Sequence, residues 1–376
     1  MLSGALMRRF LPVTYCRKQA HGRKMGTMIP HSRPAFDERD AQAVAEVVRS
    51  GFVAEGEKVR LLEKKVAGTA GKKFGAAASS GTAALHLSLL SLGIGPGDAV
   101  ALPSYVCSSL LHAVRMAGAD PLLVDALPGN FHMDPAHLEK NMTAKTKAVI
   151  VPHPFGFPTD LAPFKKMGIP VIEDCAQSIG ATLGGRPAGS FGDISIFSFY
   201  ATKVLAAGEG GMACSDSEEI ISRARDLRGY DNKDDDVRRF NYKLTDLQAA
   251  LGISQLEKLA GFIQRRREIA RRYDERFASL PLILPSAKDQ SGAIYFRYIV
   301  RLSQGRGVDD FINQMKKEGV VCMRPIHTPL HRILGQEGFP SADEAWERSV
   351  SIPLYPALRK EDAERVMDAV HKCFAP

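Results

Sequence analysis

Lys203 stands in a short polar turn between two apolar runs, within 195-SIFSFYATKVLAAGEGGMACS-215. A lysine among aromatic and small residues is either an ordinary solvated cation or a partly desolvated amine that forms a Schiff base with a carbonyl compound. The glycines of 208-GEGG-211 would let the backbone approach a ligand closely. The turn taken alone leaves both interpretations of Lys203 open.

Asp174 follows the apolar run 170-PVIE-173 and is the next candidate for chemistry. At the C-terminal end of a parallel strand, a carboxylate lies where open α/β sheets bind ligands. Asp174 could be a nucleophile, a metal ligand or the counter-ion of a protonated ring nitrogen. No further carboxylate or histidine lies at ligand spacing, so the sequence predicts no metal site.

A third motif, 79-SSGTAAL-85, follows an alanine-rich strand candidate and opens a helix. Backbone N–H groups at a helix N-terminus bind phosphate groups, although the same residues could form a plain capped turn. Together the three motifs supply what pyridoxal 5′-phosphate (PLP) requires: a lysine for the imine, a carboxylate for the pyridine nitrogen and donors for the phosphate. The combination favours PLP over any interpretation of one motif alone.

The elements that must position these residues alternate along the chain. Apolar spacing predicts helices over 37–50, 57–70, 83–92, 108–117 and 135–140. Short apolar runs predict buried strands at 98–103, 121–125, 147–151, 170–173 and 194–199. Strands buried on both faces and joined by helices predict an α/β fold with a mostly parallel central sheet.

The pattern changes in the last third of the chain. A long helix is predicted over 245–280, and Thr245 with Gln248 forms a capping box at its start. A strand over 294–302, a helix over 308–318 and a final helix over 360–373 then indicate a smaller α+β domain. We therefore expect a large PLP-binding domain over 28–260 and a small domain over 261–376.

Composition excludes several function classes. The net charge of +8 is concentrated in residues 1–36, which hold seven basic residues and no acidic ones, and the rest of the chain carries 43 basic and 42 acidic residues. This near-neutral body does not favour nucleic-acid binding. No run approaches the ~18 apolar residues of a membrane span. Six cysteines without metal or disulfide spacing fit a reducing, cytoplasmic setting.

The first 27 residues are basic, free of acidic residues and poorly periodic. A transit peptide has a similar composition, but Met25 or Met28 could equally be the true start. We expect residues 1–27 to be a disordered tail, and we assign no function to it.

Several long, co-linear segments resemble the DegT/DnrJ/EryC1/StrS family of PLP-dependent sugar aminotransferases, across about residues 30–356. They are 79-SSGTAALHLSLLSLGIGPGD-98, 119-ADPLLVD-125, 173-EDCAQSIGA-181, 197-FSFYATKVLAAGEGGM-212, 240-FNYKLTDLQAALGISQL-256 and 325-PIHTPLH-331. The resemblance implies the type I, aspartate aminotransferase-like fold. It also implies transfer of an amino group from L-glutamate, or glutamine, to a nucleotide-linked keto-sugar, with pyridoxamine phosphate as the intermediate form of the cofactor. The product would enter surface polysaccharides or related glycosylated compounds.

The resemblance assigns roles to matching residues. Lys203 would bind the cofactor and move protons, and Asp174 would hold its pyridine nitrogen protonated. Gln177 would contact the ring. Asn241 would reach the cofactor of a partner subunit, so the active unit would be a homodimer. The other expected ligands are Ser80, Gly81, Thr82 and Ser198 at the phosphate, and Tyr105 and His331 at the substrate. His153 matches a family histidine and could either position the substrate or pack beneath the site.

One position departs from the family pattern. The family usually places an aromatic ring over the cofactor after the turn at 103–104, and by spacing that position is Cys107 here, with Tyr105 two residues earlier. Some relatives carry histidine instead of the lysine and act as dehydratases, whereas Lys203 is present. Transamination is therefore preferred to two alternatives on the same scaffold, a keto-sugar dehydratase or epimerase and a non-catalytic regulator.

Overall fold

The computed structural model describes residues 28–285, 292–303, 305 and 307–374, so the predicted tail of residues 1–27 lies outside the described residues. The strands in chain order are β1 (Phe74–Ala78), β2 (Ala99–Pro103), β3 (Asp120–Val124), β4 (Thr146–Pro152), β5 (Val171–Asp174), β6 (Thr182–Leu183), β7 (Arg186–Pro187), β8 (Ile194–Ser198), β9 (Gly211–Ser215), β10 (Leu282–Ile283), β11 (Tyr298–Leu302) and β12 (Ser349–Ile352).

The helices in chain order are α1 (Glu38–Ser50), α2 (Glu57–Thr69), α3 (Gly81–Ser91), α4 (Ser109–Met116), α5 (Pro135–Asn141), α6 (Ala162–Lys165), α7 (Glu218–Leu227), α8 (Asp246–Glu257), α9 (Leu259–Phe277), α10 (Val308–Lys317), α11 (Leu330–Leu334), α12 (Pro340–Arg348) and α13 (Lys360–Phe374). A 3-10 turn at Pro154–Gly156 follows β4.

The largest sheet has seven strands in the order β1-β9-β8-β5-β4-β2-β3. Strands β8, β5, β4, β2 and β3 pair in parallel, whereas β9 runs antiparallel to its neighbours β1 and β8. The predicted α/β fold with a mostly parallel sheet is confirmed. Since β1 and the parallel strands end at the same edge, the residues that follow those ends meet there.

Helices cover both faces of this sheet. Because side chains alternate along a strand, neighbouring residues of β4 enter different layers. Ile150 packs in the cluster that contains Leu87 of α3, whereas Val149 packs with Leu138 of α5 and Phe164 of α6. This two-sided burial explains the uninterrupted apolar runs of the central strands.

A separate buried cluster surrounds β11, β12, α9, α10 and α13 in the C-terminal part. Strands β10, β11 and β12 form an antiparallel sheet there. Ile29 is buried in this cluster, and its N–H donates to the carbonyl of Gly319 at 2.8 Å. The domain boundary at residue 260 stays a prediction, but Ile29 does not pack with the large sheet to which the sequence analysis assigned it.

The single long helix predicted over 245–280 is wrong, because the chain turns between α8 and α9. The capping box of Thr245 and Gln248 is present at the start of α8. At the turn, Lys258 has φ −95° and ψ −3°, and its Nζ pairs with Asp40 (2.5 Å) and Asp37 (3.1 Å) at the start of α1. Helix α8 packs on α1 and α2, whereas α9 packs in the C-terminal cluster. One straight helix cannot pack against both parts of the molecule.

The strand predicted over 294–302 begins only at Tyr298. Tyr295 has a φ of +49°, and the buried Arg266 donates through Nη1 to the carbonyls of Tyr295 and Phe296, both at 3.1 Å. These bonds use backbone acceptors that a strand would offer to a neighbour. Residues 294–297 therefore form an irregular segment ahead of β11.

No helix among the described residues combines the length and the apolar character that crossing a bilayer requires.

Candidate active site

A cleft of about 510 Å³ opens where the chain leaves the C-terminal ends of β1, β2, β5 and β8. This is the edge of an open parallel sheet at which ligands bind. Eight of the predicted site residues line the cleft: Ser80, Gly81, Thr82, Cys107, Asp174, Gln177, Ser198 and Lys203. The cleft therefore brings the three motifs of the sequence together.

The start of α3 forms one end of the cleft. Ser80 caps the helix by accepting a hydrogen bond from the N–H of Ala83 at 3.1 Å. Gly81 and Thr82 are the first two residues of the helix, whose N–H groups have no partner inside it. Because these N–H groups and the helix dipole face an opening, this end can hold a phosphate.

Two glycines make this end of the cleft possible. A Cβ on Gly81 would lie 2.8 Å from the Cβ of Ser198, and one on Gly211 would lie 2.4 Å from the carbonyl oxygen of Ser80. The turn before α3 therefore packs directly on β8 and β9, with no room for a side chain between them. This contact places the Ser198 hydroxyl beside the N-terminus of α3.

Asp174 ends β5 and is 6% exposed. Its Oδ1 accepts a hydrogen bond from the N–H of Ala176 at 2.9 Å, and no described residue donates to Oδ2. Burial raises the pKa of Asp174, although the N–H of Ala176 and the charge of Lys203 oppose the rise. A protonated ring nitrogen in the cleft would supply the missing donor and stabilise the carboxylate.

Lys203 projects from the turn that connects β8 and β9. Its N–H donates to the carbonyl of Tyr200 at 2.8 Å, and its Nζ lies 5.1 Å from the centroid of the Phe296 ring. Burial lowers the pKa of Lys203 from its ordinary value, the charge of Asp174 opposes this, and the charge of Arg297 adds to it. A lowered pKa leaves more of the amine neutral, which is the nucleophilic form.

Gln177 is oriented by a backbone group on the neighbouring strand connection. Its Oε1 accepts a hydrogen bond from the N–H of Phe155 at 2.8 Å, and Phe155 has a φ of +57° within the 3-10 turn. Since an N–H must face an oxygen, the bond fixes which end of the amide points at the backbone. The donor end, Nε2, remains for a ligand in the cleft.

Cys107 is exposed and lines the cleft at the position where the family pattern places an aromatic ring. Tyr105 does not substitute for that ring, because it is 4% exposed and stacks on Phe131 inside the core. Its hydroxyl points to the carbonyl of Ala345 at 3.4 Å. The structure therefore places Tyr105 in the core rather than along the cleft, and its contact with a substrate stays a prediction.

His153 is fully buried and does not line the cleft, so its contact with a substrate also stays a prediction. Its Nδ1 accepts from the N–H of Thr159 at 2.8 Å, and its Nε2 therefore donates to Glu173 at 2.7 Å. Cys175 lies within 4.8 Å of both side chains. The hydrogen bonds already occupy both nitrogens of His153, which supports packing beneath the site rather than metal binding.

His331 does not line the cleft either, and its contact with a substrate stays a prediction. It is 3% exposed, its Nδ1 is 2.6 Å from the Ser104 hydroxyl, and its Nε2 is 3.0 Å from Asp343. The ring also stacks on Phe339 at a centroid distance of 4.9 Å. These contacts attach α11 to the end of β2, and His327, four residues earlier, lines the cleft instead.

Asn241 is exposed and does not line the cleft of its own chain. The adjacent backbone is close to the site, since the carbonyl of Tyr242 accepts from the N–H of Ser79 at 2.7 Å. The role of Asn241 in a partner subunit stays a prediction.

The sequence analysis missed Phe296 and Arg297, which also line the cleft. Both belong to 294-IYFRYIV-300, which has the apolar character of a strand. The arginine between Phe296 and Tyr298 was the available signal. In a regular strand, neighbouring side chains point to opposite faces, so either Arg297 or both aromatic rings would have been buried. The irregular backbone instead presents both Phe296 and Arg297 to the cleft.

The described residues fit PLP. A buried carboxylate has an oxygen without a described donor, an amine has a lowered pKa, and the N-terminus of α3, packed closely on β8 and β9 through two glycines, faces the cleft. These groups match the ring nitrogen, the aldehyde and the phosphate of the cofactor, respectively.

Comparisons with known proteins identify relatives of this chain. The chain is 34% identical, over 92% of its length and 97% of the relative's, to the spore coat polysaccharide biosynthesis protein SpsC of Bacillus subtilis (strain 168). Its fold matches DesI, solved in the presence of its TDP-sugar product, with a TM-score of 0.86, 27% identity and coverage of 92% of this chain and 93% of DesI.

The putative sugar aminotransferase Spr1654 of Streptococcus pneumoniae also matches, with 27% identity and coverage of 92% of this chain. Its PMP form gives a TM-score of 0.87 and 98% coverage of that chain, and its PLP form gives 0.86 and 99%. These neighbours confirm the predicted type I fold. PLP is confirmed as the cofactor, because aminotransferases of this family use it. A family profile matches residues 34–371, so the chain belongs to the DegT/DnrJ/EryC1/StrS aminotransferase family.

Proposed function

We propose that this protein transfers an amino group from L-glutamate, or glutamine, to the keto group of a nucleotide-linked sugar. The observation that carries the proposal is the placement of Lys203 and Asp174 in one cleft with the N-terminus of α3. The presence of a TDP-sugar with DesI and the polysaccharide role of SpsC support a nucleotide-linked acceptor and a surface polysaccharide as the destination of the product.

The bound cofactor supplies an electron sink and carries the amino group between the two substrates. Asp174 would hold the ring nitrogen protonated, and Nε2 of Gln177 would be available to donate to the ring. Lys203 would anchor the cofactor when no substrate is bound and would then move a proton at Nζ between substrate and cofactor. Ser198 and the N–H groups of Gly81 and Thr82 would hold the phosphate, and Cys107 lines the same cleft.

The proposed working unit is a homodimer in the cytoplasm. Asn241 would complete the phosphate site of the partner subunit, because its side chain is exposed and the backbone beside it is bonded to Ser79. Mass measurement in solution tests the dimer, and mixing two inactive variants, Asn241→Ala and Lys203→Ala, tests the shared site. Recovery of activity in the mixture would require a site built from both subunits.

The proposal is tested by absorption spectra of the purified protein with PLP, recorded before and after L-glutamate. The visible band of the lysine-bound cofactor should convert to the near-ultraviolet band of pyridoxamine phosphate. Lys203→Ala should not form the first band, whereas the exposed Lys64→Ala should behave like the wild type. A panel of nucleotide-linked keto-sugars should then restore the visible band, and mass spectrometry should identify an amino-sugar nucleotide.

The outcomes separate the alternatives. A visible band that is insensitive to any amino donor, with a keto-sugar nucleotide still converted, would indicate a dehydratase or epimerase. The absence of a band after adding PLP would contradict an enzymatic role and favour a regulator.

A further inference from the structure

Arg297 is a cation in the cleft without an anionic partner. Among the described residues, no carboxylate lies within 4 Å of its guanidinium. Its Nη1 has only long contacts, 3.4 Å to the carbonyl of Pro325 and 3.6 Å to the sulfur of Met323. A partly buried guanidinium with such weak partners still has strong hydrogen-bond donors for a ligand.

The backbone that carries Arg297 is held firmly. The N–H of Ile294 donates to Gly156 at 3.0 Å, and the N–H of Arg297 donates to Phe155 at 3.3 Å. Arg266 holds the carbonyls on the other side of the same segment. The irregular segment is thus fixed between the 3-10 turn and α9, which aims the side chain of Arg297 at the cleft.

Arg297 shares an aromatic ring with the proposed catalytic lysine. Nζ of Lys203 lies 5.1 Å from the centroid of Phe296, and Cζ of Arg297 lies 5.5 Å from it. Because Lys203 and Arg297 lie near the same ring, they can contact two different parts of one small molecule. Burial also lowers the pKa of Arg297, while the charges of Cys107 and Tyr105 oppose this, and a bound carboxylate would offset the cost of burial.

The other charged residues of the cleft do not give Arg297 a role. Of the four charged residues that line the cleft, Asp174 serves the ring nitrogen and Lys203 serves the cofactor aldehyde, while Glu209 forms no ion pair with Arg297. The N-terminus of α3 would bind the cofactor phosphate. The remaining anion that can pair with Arg297 is one on the substrate.

We propose that Arg297 binds a carboxylate of the amino-acid donor. In L-glutamate the α-carboxylate is one carbon from the amino nitrogen, and the side-chain carboxylate is roughly 5 Å from it in an extended chain. The phosphates of a nucleotide-linked sugar are separated from a keto carbon by the sugar ring, so they lie further from Lys203. Arg297 lines the same cleft as Lys203 and lies near the same Phe296 ring, so it matches a donor carboxylate. A planar guanidinium binds that group through two parallel hydrogen bonds.

This inference rests on the proposed transamination and is tested on the protein loaded with PLP. The variants are Arg297→Gln and Arg297→Lys, with Arg115→Gln, an exposed residue of α4, as the matched control. Stopped-flow spectra give the apparent Kd for L-glutamate in the first half-reaction. We expect that Kd to rise about 10- to 100-fold in Arg297→Gln, less in Arg297→Lys and not at all in Arg115→Gln.

A second measurement does not depend on turnover. Isothermal titration with glutarate, a dicarboxylate without an amino group, should show binding to the wild type and Arg115→Gln but a comparable loss in Arg297→Gln. Titration with uridine diphosphate, which carries the phosphates of an acceptor, should give the same Kd in all variants. Circular dichroism and thermal unfolding establish that each variant is folded. If Arg297→Gln does not fold, Arg297→Lys replaces it in the comparison.

An unchanged Kd for L-glutamate and glutarate in Arg297→Gln would overturn the inference, and so would weaker binding of uridine diphosphate alone. Failure of every keto-sugar as acceptor would contradict the proposed function only. In that case the donor half-reaction and the glutarate titration would still decide the role of Arg297.

Discussion

A Cβ placed on Gly81 would lie 2.8 Å from the Cβ of Ser198, which is closer than two such carbon atoms can approach. The contact joins the first residue of α3 to the last residue of β8. The predicted phosphate site therefore depends on a residue without a side chain at this position, since any larger residue would push the helix away from the sheet.

Gly81→Ala should weaken PLP binding about 10- to 100-fold, because overpacking of this kind costs roughly 1–3 kcal/mol. The measurement is a titration of the apoprotein with PLP, followed by absorbance. Gly68→Ala is the matched control, since a Cβ there meets nothing within 4 Å and the residue lies inside α2. Wild-type affinity in Gly81→Ala would show that the turn adjusts freely and that the phosphate does not rely on it.

Gln177 should contribute through the donor end of its amide. Gln177→Glu keeps an acceptor for the N–H of Phe155 but removes the donor and adds a negative charge near Asp174. We expect PLP affinity to fall about 10- to 100-fold, as for a lost hydrogen bond to a charged group, with little change in the midpoint of urea unfolding. Gln177→Ala removes the acceptor as well, so its unfolding midpoint should fall further, and equal midpoints would contradict the assigned orientation.

The lowered pKa of Lys203 gives a pH dependence with a definite sign. The neutral amine reacts with PLP, so the rate of formation of the visible band should rise with pH and level off below 10.5, the ordinary lysine value. The charge of Arg297 favours the neutral amine, so Arg297→Gln should move the midpoint of this profile to higher pH. A wild-type midpoint at or above 10.5 would argue against a desolvated lysine.

Glu173 should stabilise the fold beneath the site. Its carboxylate accepts hydrogen bonds from His153 at 2.7 Å and from the N–H groups of Gly189 (2.6 Å), Phe191 (2.8 Å) and Gly192 (2.7 Å). Glu173→Gln turns an amide N–H₂ toward some of these donors, so we expect a loss of about 2–3 kcal/mol in the free energy of unfolding in urea. The exposed Glu139→Gln should change it little.

The same carboxylate predicts an acid dependence. Burial would raise the pKa of Glu173, but the hydrogen bonds from His153 and from the N–H groups of Gly192 and Gly189 outweigh it, so the pKa is lowered from 4.5. The group binds protons more weakly when folded, so its stabilisation is complete above pH 4.5 and is lost as the pH falls below that value. Wild type and Glu173→Gln should therefore converge in stability toward low pH. Parallel curves down to the acid transition would contradict this.

Local sequence patterns were sufficient for much of this protein. Apart from α6, β6 and β7, which were not predicted, the order of helices and strands through β8 follows from sequence patterns. Asp174, Lys203 and the start of α3 follow from their positions next to predicted strands. Eight predicted ligands line one cleft because the ends of parallel strands share one edge of the sheet. The three motifs together predicted the cofactor, and the family resemblance added the type I fold; both are confirmed, while the sugar, the donor and the partner role of Asn241 remain predictions.

Side-chain direction was decided only by tertiary contacts. His153, Tyr105 and His331 have the residue types of substrate contacts, yet long-range bonds to Glu173, Ala345 and Ser104 hold them in the core. The turn at Lys258 depends on its ion pairs with α1.

Arg297 is the opposite case, because tertiary contacts turn it toward the cleft rather than into the core. Its apolar surroundings indicate a strand, but Phe155, Gly156 and Arg266 hold the backbone in an irregular conformation that turns both Phe296 and Arg297 toward the cleft. The sequence by itself determined which elements form and which chemical groups are available, because both depend on neighbours along the chain. The tertiary structure decided which of those groups face the cleft, because hydrogen bonds between distant segments fix the direction of each side chain.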